Sequence, residues 1–282
     1  MHCVFTPIFR FMIRILILVG ILFSCNQLPA QPDFSTGLET LQAGNTTVVF
    51  NTKCADEQPG IQFIHVHENE QTAVDAAYKM MAKYGRGCFV TWQSLGDRYV
   101  NFKLDSSIYK FDPNRIYTPK GRKETLEANG EYSAEADSIV ANIADVFTRN
   151  YITGKLLIVA LHNNTDGGGL TINGFKKGGP YAGDAKKVYV NKSRDEDDFF
   201  LTTNSYIYNY IKRKGYNIIL QNNTRVTDDG SLSVYAANKI PYLNVEAQHG
   251  HLQEQLEMMD LVQDLAQEIM KSVNVKQHTD LH

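Results

Sequence analysis

Apolar and polar positions along this chain fall into short blocks whose period changes from two to about three and a half and back. Residues 47–51, 61–67, 88–92, 99–102 and 108–111 have the length and the β-branched or aromatic content of strands. Residues 70–84 place Ala73, Ala76, Ala77, Met80 and Met81 on one face of a helix, with Gly85 and Gly87 just past its end. Ser133 can cap a helix over 134–150, although Ala136 stands where a capping box would have Glu. Residues 156–161 are apolar without a break, as expected of a strand covered on both faces. The pattern then predicts a long helix over 199–214, strands at 218–220 and 242–246, and an amphipathic helix over 252–273. Strands alternating with helices predict an α/β domain with a largely parallel sheet and helices on both faces. The polar, glycine- and lysine-rich stretch 167–198 reads as a long connection that can line or cover a site.

The N-terminus breaks this regime. Arg10 and Arg14 precede the apolar run 15–23, which is too short to read first as a membrane span. Leu22-Phe23-Ser24-Cys25 then resembles a bacterial lipobox. The expectation is a signal peptide over 1–25, a lipid on Cys25, a polar tether over 26–45 and one domain over 46–282. That places the protein in the periplasm or on the outer membrane as a lipoprotein, with plain secretion after cleavage near Ala30, or a retained anchor, as the alternatives. In an oxidising compartment Cys54 and Cys88 can pair, or they remain two small buried thiols. A net charge of −3 offers no basic field for nucleic acid, and that class is set aside.

The candidate chemistry lies at the ends of the predicted strands, where open α/β sheets bind ligands. His67 and Glu70 follow one such strand, and His162 ends the most apolar one. Two imidazoles and a carboxylate make a zinc site with a position left for water. Glu246 ends another strand and can act as general base. Asn114 and Arg115 follow a strand and Pro113, and the arginine fork can hold a substrate carboxylate.

In this order the segments resemble the zinc carboxypeptidase superfamily, including its aspartoacylase and succinylglutamate desuccinylase relatives. The steps are 47 positions from 67 to 114, 48 from 114 to 162 and 84 from 162 to 246. Leu161-His162-Asn163-Asn164-Thr165 is similar to the aspartoacylase side; Asp112-Pro113-Asn114-Arg115, and Gly230-Ser231-Leu232 followed by Ile240-Pro241-Tyr242, are similar to the carboxypeptidase side. The resemblance covers roughly residues 60–250. It implies a mixed, mostly parallel eight-stranded sheet flanked by helices, a Zn2+ ion on His67, Glu70 and His162, Glu246 as base, and Arg98 at the oxyanion. It also implies that Leu232 lines the specificity pocket and disfavours a basic side chain there. A family tyrosine near the base is not placed by the sequence, Tyr235 being a guess. Glu68-Asn69 departs from the family pattern, which often has a small residue after the histidine.

The implied activity is hydrolysis of an amide bond next to a free carboxylate, with a small peptide, a cell-wall peptide or an N-acyl amino acid as substrate. Two other readings compete. His65-x-His67 is a metal motif of barrel-type amidohydrolases, and a carboxypeptidase-like fold can serve as a non-catalytic binding module.

Overall fold

The computed structural model describes residues 33–56, 60–168 and 170–279, and the expected signal peptide with Cys25 lies outside them. The chain runs β1 (Ser35–Ala43), β2 (Thr46–Asp56), β3 (Ile61–His65), α1 (Gln71–Tyr84), β4 (Gly87–Gln93), β5 (Val100–Leu104), β6 (Ser107–Phe111), α2 (Pro119–Asn129) and α3 (Ala134–Phe147). It continues through β7 (Leu157–Asn164), β8 (Ala185–Tyr189), β9 (Phe199–Thr202), α4 (Ser205–Arg213), β10 (Ile218–Gln221), α5 (Leu232–Ala236), β11 (Tyr242–Gln248) and α6 (Leu252–Thr279). One sheet has the order β1-β2-β4-β3-β7-β11-β9-β10-β8, and β5 and β6 form a separate hairpin. The central run β4-β3-β7-β11 is parallel, and antiparallel pairs flank it on both sides. Buried side chains of α1, α4 and α6 pack on one face, and those of α2, α3 and α5 on the other. The result is the expected mixed α/β sheet between helical layers.

The sheet has nine strands among the described residues, one more than the eight expected. The added strand, β1, lies in the segment read as a tether. It pairs with β2 from Ser35↔Cys54 to Ala43↔Thr46, and most of its residues are exposed. An edge strand that packs only Leu41 and Ala43 against the core needs no sustained apolar alternation, so its hydropathy carries little signal. Gly44, at φ +53°, makes the turn into β2, and a Cβ there would meet the Lys103 carbonyl oxygen at 2.0 Å.

A second difference is at 199–214, expected as one helix. Phe199–Thr202 is instead β9, antiparallel to β11, and the helix starts only after Asn204. The Asn204 side chain accepts hydrogen bonds from the Tyr206 and Ile207 N–H groups (2.9 and 3.2 Å) and caps α4. The run Phe-Phe-Leu-Thr is compatible with either state, and its place in the sheet decides between them. Three further elements, α2, β8 and α5, did not stand out in the hydropathy. The start of α2 carries a local signal all the same: the Thr118 hydroxyl accepts from Gly121 N–H, and Pro119 follows at the first helical position. At Ser133 the expected cap is present, its hydroxyl accepting from Ala136 N–H at 3.1 Å.

Cys54 and Cys88 occupy directly opposed positions on β2 and β4 and form a disulfide. Nearby, the fully buried Phe50 ring packs 4.8 Å from Trp92 and 5.1 Å from Phe147, joining β2, β4 and α3. Deleting this ring leaves a cavity that a sheet held on both faces cannot close. Phe50→Ala is therefore expected to lower unfolding stability by about 3–5 kcal/mol, measured by urea denaturation. A loss below about 1 kcal/mol would show that the layer of α3 is not rigidly packed there.

Candidate metal centre

The strand β3 ends at His65, and a turn closed by Glu70 N–H to the His67 carbonyl (2.9 Å) leads into α1. The turn brings His67 and Glu70 together at the carboxyl end of the parallel run, with His67 Nδ1 2.7 Å from Glu70 Oε1. From β7, His162 Nδ1 approaches Glu70 Oε2 at 3.0 Å. One ligand atom from each of the three residues lies within 4.8 Å of the others, and all three side chains are buried. Sequence reasoning placed these three as ligands, and the fold brings them to one point that could hold a metal ion.

His67 and Glu70 also have partners outside the trio. His67 Nε2 lies 2.8 Å from Asp112 Oδ1, which leaves Nδ1 facing the centre when Nε2–H donates to that carboxylate. Burial works against a charged His67, but the Glu70 and Asp112 carboxylates outweigh it and raise its pKa to about 9. Burial likewise favours the neutral acids, yet His67 and His162 hold Glu70 well below the usual carboxylate range, and His67, Arg115 and Arg98 do the same for Asp112. Two ionised carboxylates thus concentrate negative charge at one buried point, which favours a bound cation. Histidine nitrogens and carboxylate oxygen are the donor set that zinc takes, and the residues present fit such an ion. The sequence marks Asp112 only as part of the segment Asp112-Pro113-Asn114-Arg115, and its position two residues before Asn114 is the one local signal of this contact.

Around this centre Arg98 donates to Glu70 Oε1 at 2.8 Å and reaches Asp112 Oδ2 at 3.4 Å. Its loop is tied down by the residue that departed from the family pattern. Glu68 Oε2 accepts the N–H groups of Ser94, Leu95 and Gly96 at 2.8, 3.0 and 2.7 Å. A residue read as a disturbance of the first motif is a fastening for the arginine loop. Asn114 Oδ1 accepts from Leu232 N–H at 3.2 Å, and Arg115 lies beside Asp229 at 3.6 Å. These two segments approach so closely that a Cβ on Gly230 (φ +76°) would meet the Arg115 carbonyl oxygen at 2.3 Å. Only glycine allows this contact, which sets the height of Asn114 and Arg115 above the sheet.

Glu246 on β11 stands opposite His162 in the parallel register. Asn244, two positions earlier on the same face, donates to Glu246 Oε2 at 2.9 Å. Burial raises the Glu246 pKa to about 7, a shift opposed by His162 and added to by Glu70. His67, Glu70, Arg98, Asn114, Arg115, His162 and Glu246 all face a single cleft of about 740 Å³.

Three expectations change. Leu232 does not line the cleft: its side chain is buried in the core beneath α5, and Ser231, Ser233 and Val234 face the cavity instead. Only its backbone N–H serves the site, through Asn114. The cause is the phase of a short helix, which the sequence does not fix. Tyr235 packs against Tyr117 away from the cleft, whereas Tyr181 and Tyr242 line it. His65 stands outside the group formed by His67, Glu70 and His162, and its Nε2–H donates to the Glu70 carbonyl oxygen at 3.1 Å. The metal-ligating histidines that converge are therefore His67 and His162, not the His65-x-His67 pair. The long connection does contribute, through Leu170, Phe175, Pro180, Tyr181 and Asp184.

No family model matches the chain, and no curated protein matches it. Among solved structures it is similar to thrombin activatable fibrinolysis inhibitor, with 11% identity and a TM-score of 0.48 over 83% of this chain and 69% of that one. It is also similar to an aspartoacylase family protein from Mesorhizobium loti (12% identity, TM-score 0.38, 80% of this chain and 65% of that one). A metallo-carboxypeptidase from Burkholderia cenocepacia aligns at 11% identity and a TM-score of 0.38, over 86% and 65% of the two chains.

The raised Glu246 has a consequence for stability. In metal-free protein below pH 4.5, its ordinary value, the group is neutral both folded and unfolded. Between pH 4.5 and about 7 only the unfolded state ionises, so the folded state loses stability progressively, a loss on the order of 3 kcal/mol that is complete once the buried group is charged above about 7. Glu246→Gln is therefore expected to stabilise the chelator-treated protein at pH 8 and to have little effect at pH 4. Urea denaturation of both proteins across that range is the check, and an equal difference at both ends would contradict the buried-charge assignment.

Proposed function

We propose that this protein is a zinc-dependent hydrolase that cleaves an amide bond next to a free carboxylate, in the manner of the zinc carboxypeptidases and aspartoacylases that its motifs resemble. The observation that carries the reading is the convergence of three groups in one cleft: His67, Glu70 and His162; the neutral-leaning Glu246; and the cationic set Arg98 and Arg115. A bound zinc ion would supply a Lewis acid that lowers the pKa of a water. Glu246 accepts a proton from the attacking water and passes it to the leaving amine nitrogen. Its raised pKa suits a group that must both take and give a proton near neutral pH. Arg98 faces the cleft with a guanidinium that can meet negative charge developing on the carbonyl oxygen. Asn114 and Arg115 hold the substrate carboxylate, the arginine through two parallel hydrogen bonds. Small peptides, cell-wall peptides and N-acyl amino acids all meet these requirements.

For location, the proposal is an exported lipoprotein held at the membrane through Cys25. The Cys54–Cys88 disulfide supports export, since such bonds persist in oxidising compartments. Among the described residues no helix is long and apolar enough to cross a membrane; in this reading the attachment is through the lipid. Cys25→Ser is expected to release the protein from membranes or leave its signal uncleaved. An unlipidated mature N-terminus near Gln31 would point to plain secretion.

The catalytic test pairs each amide substrate with its carboxyl-amidated counterpart. The wild type is expected to carry about one zinc and to prefer free carboxylates. Glu246→Gln is expected to keep zinc and lose about 10²–10⁴ in kcat. Arg115→Ala is expected to remove the preference for the carboxylate. Full turnover by Glu246→Gln rejects the base, and equal cleavage of free and amidated substrates by the wild type rejects the clamp.

A further inference from the structure

Glu70 heads α1 but does not cap it. A helix start leaves up to four N–H groups without intrahelical partners, and the side chain of the first flanking residue usually takes one of them. At Glu70 both carboxylate oxygens point away from the helix. Oε1 meets His67 Nδ1 and Arg98, and Oε2 meets His162 Nδ1 and the Asn163 N–H at 3.1 Å. The acceptor for the helix comes from another strand: Ala73 N–H donates to Asn163 Oδ1 at 2.8 Å.

Asn163 follows His162 on β7, and strand alternation sends its side chain to the opposite face of the sheet, between α1 and α6. There Asn163 Nδ2 donates to the Ala247 carbonyl at 3.2 Å and to Gln255 Oε1 at 3.0 Å. Gln255 Nε2 donates in turn to the carbonyl oxygen of His162 at 3.1 Å. Gln255 lies on α6 and is fully buried. Two buried amides therefore join the start of α1, β7, β11 and α6, with hydrogen bonds to the backbone of His162 and to Ala73, three residues past Glu70. A buried amide left without partners is destabilising, so such a pair persists only where its bonds are made.

We propose that Asn163 and Gln255 are positioning residues of the metal centre. Asn163 supplies the helix cap from across the sheet and so leaves both oxygens of Glu70 for the site. Gln255 fixes the Asn163 amide and the backbone of His162. The proposal rests on the reading of His67, Glu70 and His162 as metal ligands.

Gln263 provides a matched control. It is also fully buried on α6 toward α1, but its Nε2 contacts Met80 Sδ and it makes no bond to the site. Zinc dissociation constants of the full chain, measured by chelator competition, are read beside the thermal stability of the metal-free protein. Gln255→Met and Asn163→Leu are expected to weaken zinc binding about 10–100-fold, and to change the visible spectrum of the cobalt-loaded protein. Gln263→Met is expected to leave both unchanged whatever it does to stability. Should Asn163→Leu fail to fold, the near-isosteric Gln255→Met carries the test. Equal effects of Gln255→Met and Gln263→Met on zinc affinity, or no effect of Gln255→Met in a chain whose wild type binds zinc, overturn the positioning role. A wild type that binds no zinc overturns the metal reading beneath it.

Discussion

Glu70 keeps its charge with only 1% of its surface exposed, and the rest of the site is organised around that fact. An isolated buried carboxylate would take up a proton, because desolvation penalises the charged form. Here four donors from three parts of the chain meet it: His67 from its own turn, His162 and the Asn163 N–H from β7, and Arg98 from the loop before β5. Each of the three parts must be brought there separately. The carboxylate thereby couples the register of β3 and β7, the start of α1 and the path of residues 94–98.

The same constraint explains the arrangement of charge. Glu70 and Asp112 both remain ionised beside His67, and Glu246 lies close enough for Glu70 to push its pKa up. Three acids in one pocket need compensation, which Arg98 and Arg115 supply from the solvent side and a divalent cation would supply from within. The acids differ in kind as a result. Those in contact with imidazole are held as carboxylates, while Glu246, contacted by the neutral amide of Asn244, lies near its midpoint at neutral pH. Environment rather than residue type separates ligand from base.

Loop anchoring does the remaining work. Glu68 gathers three backbone N–H groups to one oxygen, and the Gly230–Arg115 contact sets the far wall of the cleft. Both devices place cationic side chains at defined heights over the ends of a parallel sheet, where the strand carboxyl ends open into a crevice. Buried amides on the reverse face, Asn163 and Gln255, stiffen the same strand ends from behind.

Much of this was legible from residue order alone. Continuous apolar runs marked β3 and β7, a helical period marked α1 and α6, and placement at strand ends marked His67, Glu70, His162 and Glu246, because burial on a sheet leaves a direct trace in hydropathy. Asn114 and Arg115 were found in the same way. Contacts that no local pattern encodes had to come from the tertiary structure. The polar edge strand β1 and the short strand β9 exist because partners await them, not because their own periodicity demands it. Leu232 faces the core rather than the cleft by the phase of a five-residue helix. The Ser94 partner of Glu68, the His67 partner of Asp112 and the His162 partner of Gln255 lie 26, 45 and 93 residues away in sequence. A single sequence records which side chains can accept or donate a hydrogen bond. Only the packed sheet decides which of them meet, since a bond across that distance depends on the register of every element between.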